Sequence, residues 1–333
     1  MLSNDLRKRI AALNRKDLTG GQGGDRVADE ATRPEPAPRP DTARRPDTAR
    51  RPDTARRPDA ALGPDAVQQG SSGQSPQGRA TSRDARLSLP LEAVATGEVV
   101  ANDLGVFLCI DRGVPELLPS AGDAFGRRFA RSVEMAGSPD SETELTPSLL
   151  PMAEALPEDL LFVDIEATGL TSGTPLFLIG ALGLMNGDLR VCQLLARDYS
   201  EEAALLDHFS GLMSNASVVI SFNGKTYDLP YIRDRSAFCG VPIDLPETHL
   251  DLLHESRRRW RDHLPNCRLQ TLERHICRRV RTGDIPGDQI GDAYHRFVRT
   301  GNAVDIRDIL QHNALDLITL AELTVHILEG RAS

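Results

Sequence analysis

Two acidic residues follow an apolar run in the segment LLFVDIEATGL, residues 160–170. Because side chains alternate along a strand, Asp164 and Glu166 lie on one face, about 6–7 Å apart. Two carboxylates at that spacing repel each other and resist burial unless a cation neutralises them. Carboxylate oxygens are ligands that Mg²⁺ and Mn²⁺ prefer, so the segment predicts part of a divalent-cation site. A solvated strand end is the alternative interpretation.

A second acid follows another buried strand, in the segment SVVISFNGKTYDLPYI, residues 217–232. The β-branched run ends at Asn223, and Asp228 then falls in the first turn of the next predicted helix. A negative charge is favoured there by the helix dipole, so an ordinary first-turn acid is the alternative to a metal ligand. Lys225 lies between them, where it could contact a phosphate.

A third acid and a histidine occur in HNALD, residues 312–316. His312 and Asp316 are four residues apart, so they project from one face of a helix. The apolar run LITLAELTVHIL follows, which indicates that this part of the helix is packed rather than an exposed polar patch.

Strands and helices alternate around these residues. Strands are predicted at LLFVDIEAT, at PLFLIGALGLM and DLRVCQLLA around an Asn186-Gly187 turn, at SVVISFNG and at THLDLLHES. Helices are predicted at SEEAALLDHFSGLMS with Ser200 as N-cap, at TYDLPYIRDRSAFCG ending at Gly240, at LQTLERHI and at IRDILQHNALDLITLAELTVHIL. Three hairpin strands followed by alternating units predict a mixed α/β sheet of five strands with helices on both faces.

The chain divides into three parts by composition. Residues 1–86 carry the hexapeptide repeat RPDTAR, with a proline in every unit, and are predicted to be a disordered arm after a short basic helix over 4–16. Residues 87–150 are predicted to be a small β-rich segment with a hairpin near Asn102, then a mixed, loop-rich linker. Residues 151–330 are predicted to form the main domain.

Charge and cysteine content narrow the functional classes. Residues 1–86 hold 17 basic and 12 acidic side chains, a net +5, which leaves −14 for the remainder of a chain whose net charge is −9. An acidic folded part argues against a protein that binds nucleic acid non-specifically through its charge, but not against an enzyme that holds cations. Five cysteines without a paired spacing indicate reduced thiols. With no signal peptide or membrane helix visible, we expect a cytoplasmic protein.

The three motifs, in the order Asp-x-Glu, Asp and His-x-x-x-Asp, resemble those of the DEDD 3′–5′ exonucleases of the ribonuclease H-like superfamily. VDIEATGL is similar to their first motif, FNGKTYDLPYI to the second and HNALD to the third. Within that group the sequence resembles the YprB-type ribonuclease H-like domain, with CRLQTLERHI where that family has a similar helix. The resemblance covers residues 158–328, half of the chain.

The resemblance implies a ribonuclease H-like fold and a two-ion site. It assigns the ligands of two Mg²⁺ or Mn²⁺ ions to Asp164, Glu166, Asp228 and Asp316, with His312 orienting or deprotonating the attacking water. It places Thr168, Gly169 and Asn223 in the pocket for the terminal nucleotide. The expected substrate is the 3′ end of single-stranded DNA or RNA, and the expected product is a nucleoside 5′-monophosphate.

Further residues are candidates for contacts around that site. The clusters RRRWR (257–261) and RRVR (278–281) could follow a phosphate backbone, with Trp260 as a stacking surface for a base. Solvated helix faces, with Trp260 in a local core, are the alternative. Asp251 is a candidate acid behind the metal ligands. A catalytically idle nucleic-acid-binding module and a ribonuclease H-like endonuclease share the motifs and stay open as alternatives.

Overall fold

The computed structural model describes residues 88–138, 145–245 and 247–330. The disordered arm predicted for residues 1–86, with its basic helix and its repeat, lies outside the described residues. None of the helices in the described ranges is long and apolar enough to cross a membrane.

The core of the molecule is a seven-stranded mixed sheet. Its strands are β1 Glu98–Asn102, β2 Gly105–Gly113, β3 Leu160–Ala167, β4 Leu176–Met185, β5 Asp188–Leu195, β6 Val218–Ser221 and β7 His249–Asp251. They lie in the order β1-β2-β5-β4-β3-β6-β7, in which β6 pairs parallel to both β3 and β7 and the other neighbours are antiparallel. The predicted mixed α/β sheet with helices on both faces is confirmed, and the β1–β2 hairpin extends the predicted five strands to seven. The domain boundaries stay predictions.

Helices cover both faces of the sheet. They are α1 Val114–Leu117, α2 Gly122–Ala136, α3 Leu150–Glu154, α4 Glu202–Ser214, α5 Asp228–Cys239, α6 Leu252–Trp260, α7 Leu269–His275, α8 Gly287–Thr300 and α9 Val304–Leu328. Leu161, Val163 and Ile165 belong to one hydrophobic core, whereas Leu160 and Phe162 belong to a second core on the opposite face. The alternation read from the β3 sequence is therefore confirmed, and α9 contributes side chains to both cores.

The turns that punctuate these elements follow from their residues. Asn186 and Gly187 both have positive φ, 54° and 81°, which is the conformation that a two-residue hairpin turn requires. Gly240 ends α5 in the left-handed conformation, with φ 70°. Both were predicted from the sequence.

Two local predictions were wrong. The linker that follows the predicted hairpin was expected to be loop-rich, yet it contains the 15-residue helix α2, which places Phe125, Phe129 and Val133 in a core. Ser200 was predicted to be the N-cap of α4, but it lies within a short 3-10 turn, Tyr199–Glu201. The Asp198 carboxylate caps that turn by accepting from the Ser200 backbone N–H. A carboxylate is a strong acceptor for an amide that no helical bond satisfies.

Candidate active site

Four acids from three distant parts of the chain come together near the carboxyl end of strand β3. Asp164 and Glu166 lie on β3, Asp228 is the first residue of α5, and Asp316 lies within α9. Burial raises the pKa of Asp164 well above its usual range, and the charges of Asp316, Glu166 and Asp228 raise it further. Burial raises the pKa of Glu166 in the same way, followed by the charges of Asp316 and Asp228. The four carboxylates therefore share one electrostatic environment in which they repel one another.

Asp228 is the most deeply buried of the four, with 5% of its surface exposed. Burial raises its pKa to about 7, and the charges of Asp251 and Asp316 act in the same direction. The backbone N–H groups of Asp228 and Ile165 bind its carboxylate and oppose that rise. The predicted first-turn position is correct, and burial distinguishes Asp228 from an ordinary solvated helix acid.

His312 lies between two carboxylates. Its Nε2 is 3.5 Å from Asp316 Oδ2, as the four-residue spacing on α9 predicts. Its Nδ1 is 2.8 Å from Asp284 Oδ1, in the loop that precedes α8. A proton on Nδ1 would be donated to Asp284, which leaves Nε2 free to accept one. Sequence reasoning missed Asp284, because nothing in the spacing of RTGDIPG places that loop beside α9.

Arg281 is the cation of this region, and its side chain is only 6% exposed. Its guanidinium forms an ion pair with Asp316, donates from Nε to Glu273 Oε2 at 2.6 Å, and lies 3.5 Å from Asp284 Oδ2. Its charge lowers the pKa of Glu166 and so offsets part of the repulsion among the acids. Arg281 therefore stabilises the carboxylates in the protein without bound ions.

The two basic clusters lie in different environments. Arg279 donates from Nε to Glu273 Oε1 at 2.6 Å, so Arg279 and Arg281 of RRVR neutralise internal acids rather than forming a free phosphate track. Trp260 of RRRWR is 2% exposed and belongs to a core, as the alternative interpretation expected, so it is not a stacking surface for a base. An amphipathic helix end that packs its aromatic residue inward explains the pattern equally well from sequence.

Asp251 fixes the loop that follows β6. Its Oδ1 accepts from the backbone N–H of Asn223 at 2.8 Å, and its Oδ2 accepts from that of Lys225 at 3.1 Å. Oδ1 also accepts from Leu253 N at 3.0 Å, which caps α6. Asn223 adopts φ 65°, a strained conformation that these bonds help to hold. The side chains of Asn223 and Lys225 are exposed on this loop.

Thr168 and Gly169 form the turn that leaves β3. Thr168 donates from Oγ1 to Pro175 O at 3.1 Å, which closes the loop back onto the start of β4. Gly169 O accepts from the hydroxyls of Tyr227 and Tyr231, each at 3.3 Å. These contacts connect the first motif to the segment that carries Asp228. A role for Thr168 and Gly169 in nucleotide binding stays a prediction.

The donor chemistry of the cluster fits hard divalent cations. All four acids present carboxylate oxygens, the ligands of Mg²⁺ and Mn²⁺, and burial together with neighbouring negative charges raises the pKa of Asp164, Glu166 and Asp228. Among the described residues, no group of three or more Asp, Glu, His or Cys side chains has, as it stands, an arrangement that could hold a metal ion. Arg281 instead holds Asp316, so ion binding would replace one cation by another at that carboxylate.

Comparison with known proteins identifies the family. The chain is 31% identical over 173 residues to "Uncharacterized protein YprB" of Bacillus subtilis (strain 168), which covers 51% of this chain and 42% of that protein. A family B DNA polymerase from Pyrobaculum calidifontis aligns with 51% of this chain and 24% of its own, with a TM-score of 0.40 and 14% identity. The RNase_H_2 family matches residues 161–328, just over half of the chain, so this protein belongs to the RNase_H superfamily.

Proposed function

We propose that this protein is a metal-dependent nuclease that removes nucleotides from the 3′ end of a nucleic acid. Membership of the RNase_H superfamily supports a nuclease-type function. The observation that carries the finer proposal is the group of four mutually repelling carboxylates on β3, α5 and α9, with His312 beside the last of them. Such an arrangement costs free energy in an empty protein, and divalent ions would repay it.

The proposed chemistry divides between ions and protein groups. Two Mg²⁺ or Mn²⁺ ions, held by Asp164, Glu166, Asp228 and Asp316, would supply an activated water and charge stabilisation for the leaving 3′ oxygen. His312 accepts the proton of the attacking water at Nε2. Asp284, 2.8 Å from Nδ1, keeps the ring in the tautomer that leaves Nε2 unprotonated and stabilises the ring once it is charged.

Residues near the acids are proposed to hold the end of the strand. Asn223 and Lys225 are exposed on a loop whose backbone is fixed by Asp251, so their side chains can meet a ligand without reordering the loop. Lys225 supplies a positive charge for a phosphate. Thr168 and Gly169 continue this surface from the first motif.

The test is a digestion of 5′-labelled single-stranded DNA and RNA oligonucleotides with Mg²⁺ or Mn²⁺, with EDTA as blank and Asp164→Asn as control. A ladder that shortens by single nucleotides, and that is lost with EDTA and in the variant, supports the proposal. Internal cuts from the outset would replace it with an endonuclease. Binding of the strands without any metal-dependent cutting would make the chain an idle nucleic-acid-binding module.

A further inference from the structure

A single row across the sheet connects Asp164 to the far side of the site. Asp164 on β3 pairs with Gly180 on β4, and Gly180 pairs with Gln193 on β5. Residues paired in this way project from the same face, so the glycine leaves a gap between two polar side chains. A Cβ added at Gly180 would lie 2.2 Å from Asn313 Oδ1 and 2.7 Å from a methyl of Leu317. The Asn313 carboxamide of α9 therefore fills the space that Gly180 provides.

Four polar side chains form a continuous hydrogen-bonded series along this row. Arg112 donates from a terminal guanidinium nitrogen to Gln193 Oε1 at 2.6 Å. Gln193 Nε2 donates to Asn313 Oδ1 at 2.8 Å and to Leu310 O at 2.9 Å. Asn313 Nδ2 donates to Asp164 Oδ2 at 2.8 Å and to Asp164 O at 3.2 Å. Gln193 and Asn313 are both completely buried, so water cannot substitute for these partners.

The direction of the series is determined by its two ends. A guanidinium can only donate and a carboxylate can only accept, so each amide must turn its oxygen toward Arg112 and its nitrogen toward Asp164. Reversing either amide would bring two acceptors or two donors into contact inside the protein and leave buried polar groups unpaired. The charge of Arg112 therefore determines which atom of Asn313 faces the acid.

We propose that Arg112, Gln193 and Asn313 are positioning residues that orient the Asp164 carboxylate for metal binding, an inference that rests on the proposed function. Asn313 holds Asp164 Oδ2 in place, so the other oxygen of the carboxylate keeps one direction. Groups behind a metal ligand commonly change metal affinity by 10–100-fold when they are altered. A carboxylate that is held in this way binds an ion without losing side-chain freedom at that moment.

Gln193→Glu tests the direction of the series at nearly constant shape. The new carboxylate accepts from Arg112, but it can no longer donate to Asn313, which must turn its nitrogen toward residue 193 and its oxygen toward Asp164. We expect Mn²⁺ affinity, measured by titration calorimetry on the full chain, to fall about 10–100-fold. The control is Gln289→Glu, the same change on the exposed surface of α8, which should bind Mn²⁺ like the wild type.

Thermal unfolding without metal shows whether each variant is folded. If Gln193→Glu does not fold, Arg112→Gln provides the test from the outer, half-buried end, because an uncharged amide no longer imposes a direction. We expect this variant to lose several-fold in Mn²⁺ affinity. Nuclease assays should show a lower kcat with KM nearly unchanged, since the strand contacts are intact.

The outcomes separate the two proposals. Absence of Mn²⁺ uptake by the wild type would overturn the proposed function and, with it, the positioning role. Wild-type uptake together with unchanged affinity in folded Gln193→Glu, or in Arg112→Gln if the first variant is unfolded, would overturn the positioning role alone.

Discussion

Two regions of this molecule bury carboxylates in opposite ways. At the start of α4, Glu202 accepts from Arg235 Nε at 2.7 Å and from a terminal guanidinium nitrogen at 2.6 Å, and both side chains are buried. Glu202 also accepts from the backbone N–H of Leu176 at 2.9 Å, so its charge is matched and its oxygens are satisfied. This ion pair connects α4, α5 and the start of β4 and has no need of a ligand.

The acid cluster has the reverse balance. Burial and the neighbouring carboxylates raise the pKa of Asp164 and Glu166, and Arg281, which is shared with Glu273 and Asp284, is paired with Asp316. A charge imbalance in a partly buried place is costly for stability, and it is typical of sites at which a ligand completes the set. The comparison shows one buried carboxylate whose charge is matched within the fold and one group of carboxylates with an excess of negative charge.

We expect the largest effect on cleavage from removing one charge of the acid cluster. Asp228→Asn removes one negative charge at constant shape, and we expect cleavage to fall at least about 10⁴-fold, or about 5.5 kcal/mol, because a metal ligand is lost. The metal-free protein should unfold at a higher temperature, since repulsion among the acids decreases. Asp262→Asn, on an exposed residue, is the control for both measurements. An unchanged cleavage rate would remove Asp228 from the site.

The matched change at the Glu202–Arg235 ion pair should lower the stability of the protein rather than raise it. Glu202→Gln leaves Arg235 charged and buried without its partner, so we expect a loss of about 3–5 kcal/mol in the free energy of unfolding. Urea unfolding measures this loss. Cleavage per folded molecule should stay at the wild-type rate, and a parallel loss of cleavage would show that the two regions are not separate.

Acid should weaken the α4 region through His208. Burial lowers the pKa of His208 to about 4, and its Nε2 has no hydrogen-bond partner within the described ranges. The unfolded chain binds a proton near pH 6.5 but the folded protein does not, so this histidine alone lowers stability as pH decreases from about 6.5 to 4, by up to about 3 kcal/mol, whereas the raised pKa of Asp228 acts in the opposite direction. Burial lowers the pKa of His249 to about 4 as well, which adds to the trend.

His208→Leu isolates this contribution. On going from pH 7 to pH 5, the change in its unfolding free energy should be more favourable than that of the wild type, whereas His263→Leu, on an exposed histidine, should not alter the slope. Equal slopes for the wild type and the His208 variant would contradict the assignment.

Ion binding gives the smallest effect and acts on the acid cluster alone. At a Mn²⁺ concentration of 100 times Kd, the wild type should gain about 2.7 kcal/mol of stability. Calorimetric unfolding should show this gain in Glu202→Gln but only weakly in Asp228→Asn. Equal gains in both variants would place the ion elsewhere.

The sequence predicted the elements whose pattern is local. The alternating face of β3, the Asn186-Gly187 turn, the Gly240 helix end and the shared helix face of His312 and Asp316 all follow from neighbouring residues. The supporting residues did not follow in this way. Arg281 and Asn313 reach the acids, Asp284 reaches His312 and Gln193 reaches Asn313 only through strand register and helix packing, which a single sequence does not encode in its spacing.

The contacts of Arg281 bear on the stability of the acid cluster when no ion is bound. Because the guanidinium already contacts Glu273 and Asp284, it would keep two carboxylate neighbours after Asp316 turned to an incoming ion. Ion binding at Asp316 would therefore leave the Arg281 guanidinium paired and would not require the surrounding helices to refold. Binding and release of an ion would change only the local partners of Asp316, so the protein would stay folded in the absence of the ion.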